Sequence, residues 1–252
     1  MDKYEVEFCR QLDVLGNQSR SCVMFTYAQL TMDICVTESE AAHRHMDEFA
    51  GFWNAVLGAF QSSAFIALGR IYDRRRDVDS AAHLVRYASE FPGIFSASSL
   101  RDRKIEAGLD AEAADEYASV AFTATAGSFD GLKAELESHT TLYSEKVEPI
   151  RHRVFAHSGR MDSRELENLF AALPVRDLEQ AVTFPLRLHE ALWQLFHNGL
   201  KPDLPALTQI AADVLNAARA AHDAGYIPTL EHEYAAGVTA EFMRWLHTIN
   251  SP

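Results

Sequence analysis

Two arginines and two histidines crowd into one short stretch, Arg151-His152-Arg153-Val154-Phe155-Ala156-His157. The side-chain types matter before the spacing does. A guanidinium offers a fixed fork of donors to phosphoryl oxygens, which carry the charge of a phosphoryl-transfer transition state. An imidazole titrates near neutral pH and moves a proton to or from a hydroxyl. An arginine and a histidine held together therefore suit moving a proton at a hydroxyl beside a phosphate.

Spacing alone does not single this stretch out. A pattern R-x(4–6)-H is expected about twice by chance in a chain of 252 residues with 18 Arg and 11 His, and it occurs twice, at Arg151/His157 and Arg76/His83. Context separates the pairs. Arg76 and His83 straddle Asp77-Val78-Asp79-Ser80, which reads as a loop and a helix cap. Arg151 and His157 fall in the last turns of a patterned helix that Gly159 is placed to end. At a hundred degrees per residue, six steps put Arg151 and His157 on different faces of that helix.

The elements that must position these residues are all helices. Only 12 Gly and 8 Pro punctuate the chain, so long regular elements are expected, and no segment reads as a strand. The first forty residues read as helical, with a break near Gly16-Asn17. A helix over about 42–74 carries Phe49, Phe52, Trp53, Val56, Phe60, Ser63 and Ala67 at helical spacing among small residues, and is expected to be central and buried. Shorter helices follow at about 80–88, 100–106 and 111–124. Phe91-Pro92-Gly93 forms a turn, Ser96 or Ser98 a cap, and Gly108 and Gly127-Ser128 form breaks. The motif helix runs over about 129–158, with a kink expected at Pro149. Asp162 with Glu165 reads as a capping box for 163–173, and 175–198 is a long helix with a bend at Pro185. Leu200-Lys201-Pro202-Asp203 reads as a linker to two further helices, about 204–224 and 231–249. The division is thus 1–199 and a C-terminal extension, 200–252.

The text around the motif carries a resemblance. The run from Tyr143 to Ser158, the upstream run Phe65-Ile66-Ala67-Leu68-Gly69-Arg70-Ile71-Tyr72-Asp73, and Phe95-Ser96 followed by Leu100, Arg103 and Lys104 resemble the AbiU-like abortive-infection branch of the HEPN superfamily, over about 45–198. The resemblance implies an all-α, HEPN-type multi-helix bundle with extra N- and C-terminal helices. It implies metal-independent RNA cleavage with no cofactor, of an anti-phage or toxin type. His157 is then the acid–base group, Arg151 the phosphate clamp, and His152 the polar residue that orients the site or contacts phosphate. Arg153, Arg70 and Lys146 are candidates for contacting RNA. The family pairs two protomers around one composite cleft, so a homodimer is implied, and an antitoxin or regulatory partner fits the same picture. Some HEPN toxins carry a Tyr two residues after the His, where a partner modifies it; here that position is Gly159, and that mode of control is not supported.

Composition narrows the alternatives. A net charge of −13 rules out nucleic-acid binding through the general field, so any RNA contact needs a local basic patch. Residues 70–76 hold a local +3 and residues 143–164 a local +2. Arg70 and Asp73, three apart, read first as an intrahelical ion pair. E-x-x-H occurs once, at Glu40 and His43, where a di-metal carboxylate bundle needs two, and no H-E-x-x-H or Gly-rich phosphate loop is present. Cys9, Cys22 and Cys35 lack any C-x-x-C pairing and read as small buried hydrophobes in a reducing compartment. The N-terminal residues lack a signal-peptide layout and the longest apolar run is interrupted by polar residues, so a cytoplasmic protein without a membrane span is expected. The rival reading is a non-catalytic HEPN-like interaction module, or an antitoxin-type partner protein.

Overall fold

The structure, a computed structural model, describes residues 1–38, 40–156 and 162–204, and these are helical with no strand among them. In chain order the helices are α1 (Lys3–Glu38), α2 (Glu40–Glu48), α3 (Ala50–Ile71), α4 (Ala81–Glu90), α5 (Ala97–Glu106), α6 (Ala111–Ser119), α7 (Asp130–Leu142), the short α8 (Glu148–Ile150), α9 (Ser163–Ala171) and α10 (Val175–Asn198). Single turns of 3-10 helix, Pro92–Phe95 and Ala126–Phe129, precede α5 and α7. His157, Gly159 and both helices expected beyond residue 204 lie outside the described residues.

Local chemistry sets the helix starts. The side chains of Ser80, Ser96, Asp110 and Asp162 each accept from a backbone N–H three residues on, which satisfies a donor the helix itself leaves open. Asp2 accepts from the Glu5 N–H while the Glu5 carboxylate accepts from the Asp2 N–H, a reciprocal box at the head of α1. At the far end of α10, Gly199 sits at φ +64°, and a Cβ there would fall 2.7 Å from both Ala121 and Leu100.

Three expectations change. The break near Gly16 is absent, because Leu12, Leu15 and Ser19 are buried around it and this packing outweighs the roughly 1 kcal/mol that one helical glycine costs. The long helix over 42–74 is two helices, divided at Phe49. The second is not buried along its length: Ala64, Phe65, Ala67, Leu68 and Ile71 are inside, whereas Phe52 is 62% exposed, and Phe49 at the division is 50% exposed. By length and composition α3 is also apolar enough to cross a membrane, although its last turns are packed in protein.

The chain forms two compact units. The first comprises Met1–Gln18, Arg70–Ser144 and the described residues from Phe184 on. Its core is aromatic: Phe8 meets Phe95 edge-on at 5.1 Å and Phe196 at 5.1 Å, and Phe95 reaches Phe129 at 5.5 Å. Arg103 runs through this core. It pairs with buried Glu5, donates to the carbonyls of Ile94 and Phe196 at 2.9 and 2.8 Å, and lies over the Phe196 ring. A cavity of about 470 Å³ opens beside Ile71, Val85 and Leu136, rimmed by Arg74, Lys133 and Glu137.

The described part of the second unit is Ser19–Gly69 and Glu145–Thr183. Cys22, Val23, Tyr27, Met32, Leu68, Val147, Ile150 and Val182 are among its most buried residues. Tyr27 donates to Glu179 at 2.9 Å, and the Cys22 thiol lies 3.7 Å from the Ala64 carbonyl. Burial pushes the Cys22 thiol up to about 12, as it pushes Cys9 in the first unit to about 11, so both read as packing groups. The side chain of Cys35 lies outside the described residues.

Two histidines of the first unit make its stability depend on pH. His139 stacks on Phe184 at 4.1 Å; burial lowers its pKa, Glu135 opposes this and Arg187 adds to it. Burial, then Arg103 and Lys104, lower the pKa of His197. Both favour the neutral ring in the fold, so the unfolded chain binds the extra protons and stability falls as pH drops through the ordinary imidazole value near 6.5. His139→Phe keeps the stack and removes one such group. Its melting temperature is expected to fall less than the wild type's between about pH 7.5 and pH 5.5, measured by circular dichroism.

Candidate functional site

The motif helix does not keep one pitch. After α7 the chain winds as a π-helix over Tyr143–Val147, returns to α for Glu148–Ile150, and is π again over Arg151–Ala156. Pro149 accounts for the first change. It has no N–H for the carbonyl four residues back and its ring crowds that carbonyl, so the turn ahead of it opens. The expected kink is thus a change of winding. The second π segment carries Arg151, His152 and Arg153, and α-helical arithmetic at a hundred degrees per residue does not apply to it.

This segment docks on the last turns of α3 through two contacts. Phe155 packs on Phe65 with ring centroids 4.9 Å apart. Arg151 lies on Gly69, where a Cβ would come within 2.2 Å of its Nε. Phe65 and Gly69 are four apart, as are Arg151 and Phe155, and they pair in antiparallel order. Ile150 and Val147, fully buried, anchor the helix behind the contact.

The guanidinium is then partly used and partly spare. Its Nε is buried with no hydrogen-bond partner among the described residues, an arrangement that costs roughly 1–3 kcal/mol in a protein interior. Its Nη1 lies 3.4 Å from Nε2 of His152, and that same nitrogen lies 3.4 Å from Oε1 of Glu148. Nε2 accepts from Arg151 only when it carries no hydrogen and donates to Glu148 only when it carries one, so its proton decides which contact is made. His152 is exposed enough to reach a ligand.

The other candidates are placed differently. Lys146 is ion-paired with Asp177 of α10, close to its ammonium. Arg153 is exposed and makes no ion pair among the described residues. Arg70 is also exposed, and Asp73 pairs with Arg75 at 3.1 Å in place of the expected Arg70. Arg74 pairs with Glu137 at 3.2 Å, so two of the four cations in residues 70–76 are matched locally. The alternative pair separates as expected: Arg76 is in a loop, and the His83 N–H caps α4 through Ser80 at 3.3 Å. Sequence reasoning missed Gly69, Glu148, Asp177 and the Phe65–Phe155 contact. Gly69 alone left a signal, a glycine inside a helix, and it shares that signal with Gly51 and Gly58.

A family model described as AbiU2, of the HEPN group, matches residues 5–216. No curated protein and no solved structure matches the chain.

The docking is testable without any assay of function. A double-mutant cycle with Phe65→Leu and Phe155→Leu is expected to show a coupling of about 0.5–1.5 kcal/mol in chemical denaturation. Strict additivity would mean that the two rings do not hold the segment on α3.

Proposed function

The chain belongs to the AbiU2 family of HEPN proteins, and from that footing we propose that it is a metal-independent endoribonuclease acting in abortive infection. The observation that carries the reading is the seating of Arg151 on α3 beside His152, with no carboxylate paired to its Nη groups among the described residues. Those groups suit the growing charge on the phosphoryl oxygens. His157 takes the proton from a ribose 2′-hydroxyl. The 2′-oxygen attacks the adjacent phosphorus, the bond to the 5′-oxygen breaks, and the leaving oxygen takes a proton. The products are a 2′,3′-cyclic phosphate and a 5′-hydroxyl end. His152 orients Arg151 or contacts phosphate, Arg153 and Arg70 add positive charge, and Lys146 acts from its pairing with Asp177.

The reading includes a homodimer with a composite cleft and a cytoplasmic protein open to an antitoxin or regulatory partner. Exposed Phe49, Phe52 and Ile66 support self-association, because apolar side chains that stay in water are commonly covered by a partner. The helix arithmetic gives no support, since the π turn removes its premise. A second reading, a non-catalytic interaction module, is favoured by the net charge of −13 and by the carboxylates already matched to Lys146 and His152.

Purified protein is expected to cleave single-stranded RNA in EDTA and to leave cyclic-phosphate ends. Arg151→Ala and His157→Ala are each expected to lower the rate by at least about a hundredfold while the helical circular dichroism persists. Cleavage equal to wild type in both variants would favour the interaction module. Light scattering at micromolar concentration is expected to give the mass of a dimer, and a monomer there would remove the composite cleft.

A further inference from the structure

Glycine inside a helix needs a reason. It is less favourable than alanine by roughly 1 kcal/mol, and α3 contains three, Gly51, Gly58 and Gly69. None of them has a positive φ, so conformational freedom is not what they supply. At Gly51 and Gly58 an added Cβ meets nothing within 4 Å. At Gly69 it would fall 2.2 Å from Nε, 2.6 Å from Cζ and 2.8 Å from Cδ of Arg151. Three consecutive atoms of one side chain thus rest on the bare backbone of one residue.

We propose that Gly69 is the positioning residue for Arg151: the missing side chain is the seat on which the guanidinium lies. The inference rests on reading Arg151 as the group that meets phosphate. Ordinary van der Waals contact begins near 3.4 Å, so any side chain at 69 moves the guanidinium by about 1 Å or more. The atoms that must give way are the far end of a flexible chain, not backbone, so the displacement falls on Arg151 and the fold is retained. A misplacement of this size costs up to about a hundredfold in rate when the displaced group acts on the transition state.

The full-length protein tests this with an NMR signal and a kinetic one. In ¹⁵N-labelled protein the buried Arg151 Nε–H should give a slowly exchanging cross-peak, identified by its loss in Arg151→Lys. Gly69→Ala is expected to shift that peak and speed its exchange with water, and Gly58→Ala to leave it in place. A peak unmoved by Gly69→Ala overturns the proposal. On a single-stranded RNA, Gly69→Ala is expected to lower kcat about ten- to a hundredfold, with KM changed less than about threefold. In the Arg151→Lys background it is expected to add no further loss, and an equal loss there would show that Gly69 acts independently of Arg151. If the peak responds while wild type and Arg151→Ala treat RNA alike, the seat stands and the ribonuclease reading falls. Should Gly69→Ala fail to fold, Gly69→Ala/Arg151→Ala is expected to restore folding, because the atoms it collides with are gone; failure of the double variant also overturns the proposal.

Discussion

The candidate site depends on one docking event, the last turns of α3 against the π segment Arg151–Ala156. Phe65 on Phe155 supplies the apolar hold, and Gly69 under Arg151 supplies the close approach. The two contacts work as a pair, since each helix spaces its two residues four apart. The ring contact fixes how the segment lies, and the segment then lays a cation along a helix backbone that an ordinary side chain would shield. A charged group is thereby held by shape, with no carboxylate against the guanidinium among the described residues. That leaves its charge available to a ligand in a protein whose net charge is −13.

Electrostatic matching elsewhere makes the contrast clear. Arg103 is held by Glu5, by two carbonyls and by a ring, with only its Nε left without a partner, and its role is to hold the first unit together. Arg10 is matched by both Glu7 and Asp79, which raises its pKa beyond the ordinary arginine value. Arg74, Arg75 and Lys146 each have an acidic partner. Against these, Arg151 faces a histidine and a glycine.

Much of the fold was legible because its signals are local. Ser80, Ser96 and Asp162 announce helix starts through a side-chain oxygen and a backbone donor three residues apart, and Pro92 and Pro174 end what precedes them. The family-like runs led to both sides of the docking contact. Other features were not legible for physical reasons. Apolar spacing on α3 says that a face wants cover and not whether it has any, so Phe49 and Phe52 read as core and are exposed. Gly16 read as a break because local propensity is silent about the burial that holds α1 together. The contact between Arg151 and Gly69 joins residues far apart in the chain, and no periodicity within either helix encodes it.

The changes of winding around Pro149 bear on how such motifs are measured. Family signatures are written as residue counts, and a count becomes an angle or a length only if the pitch is known. Between Tyr143 and Ala156 the chain switches from π to α and back to π, and each π turn takes up more residues than an α turn. Along this stretch residue number is a poor ruler. Two chains with the same R-x(n)-H count can present their arginines and histidines to different sides, and chains with different counts can present them alike. What the helix keeps constant is where Arg151 comes to rest, and that is fixed by contact with α3.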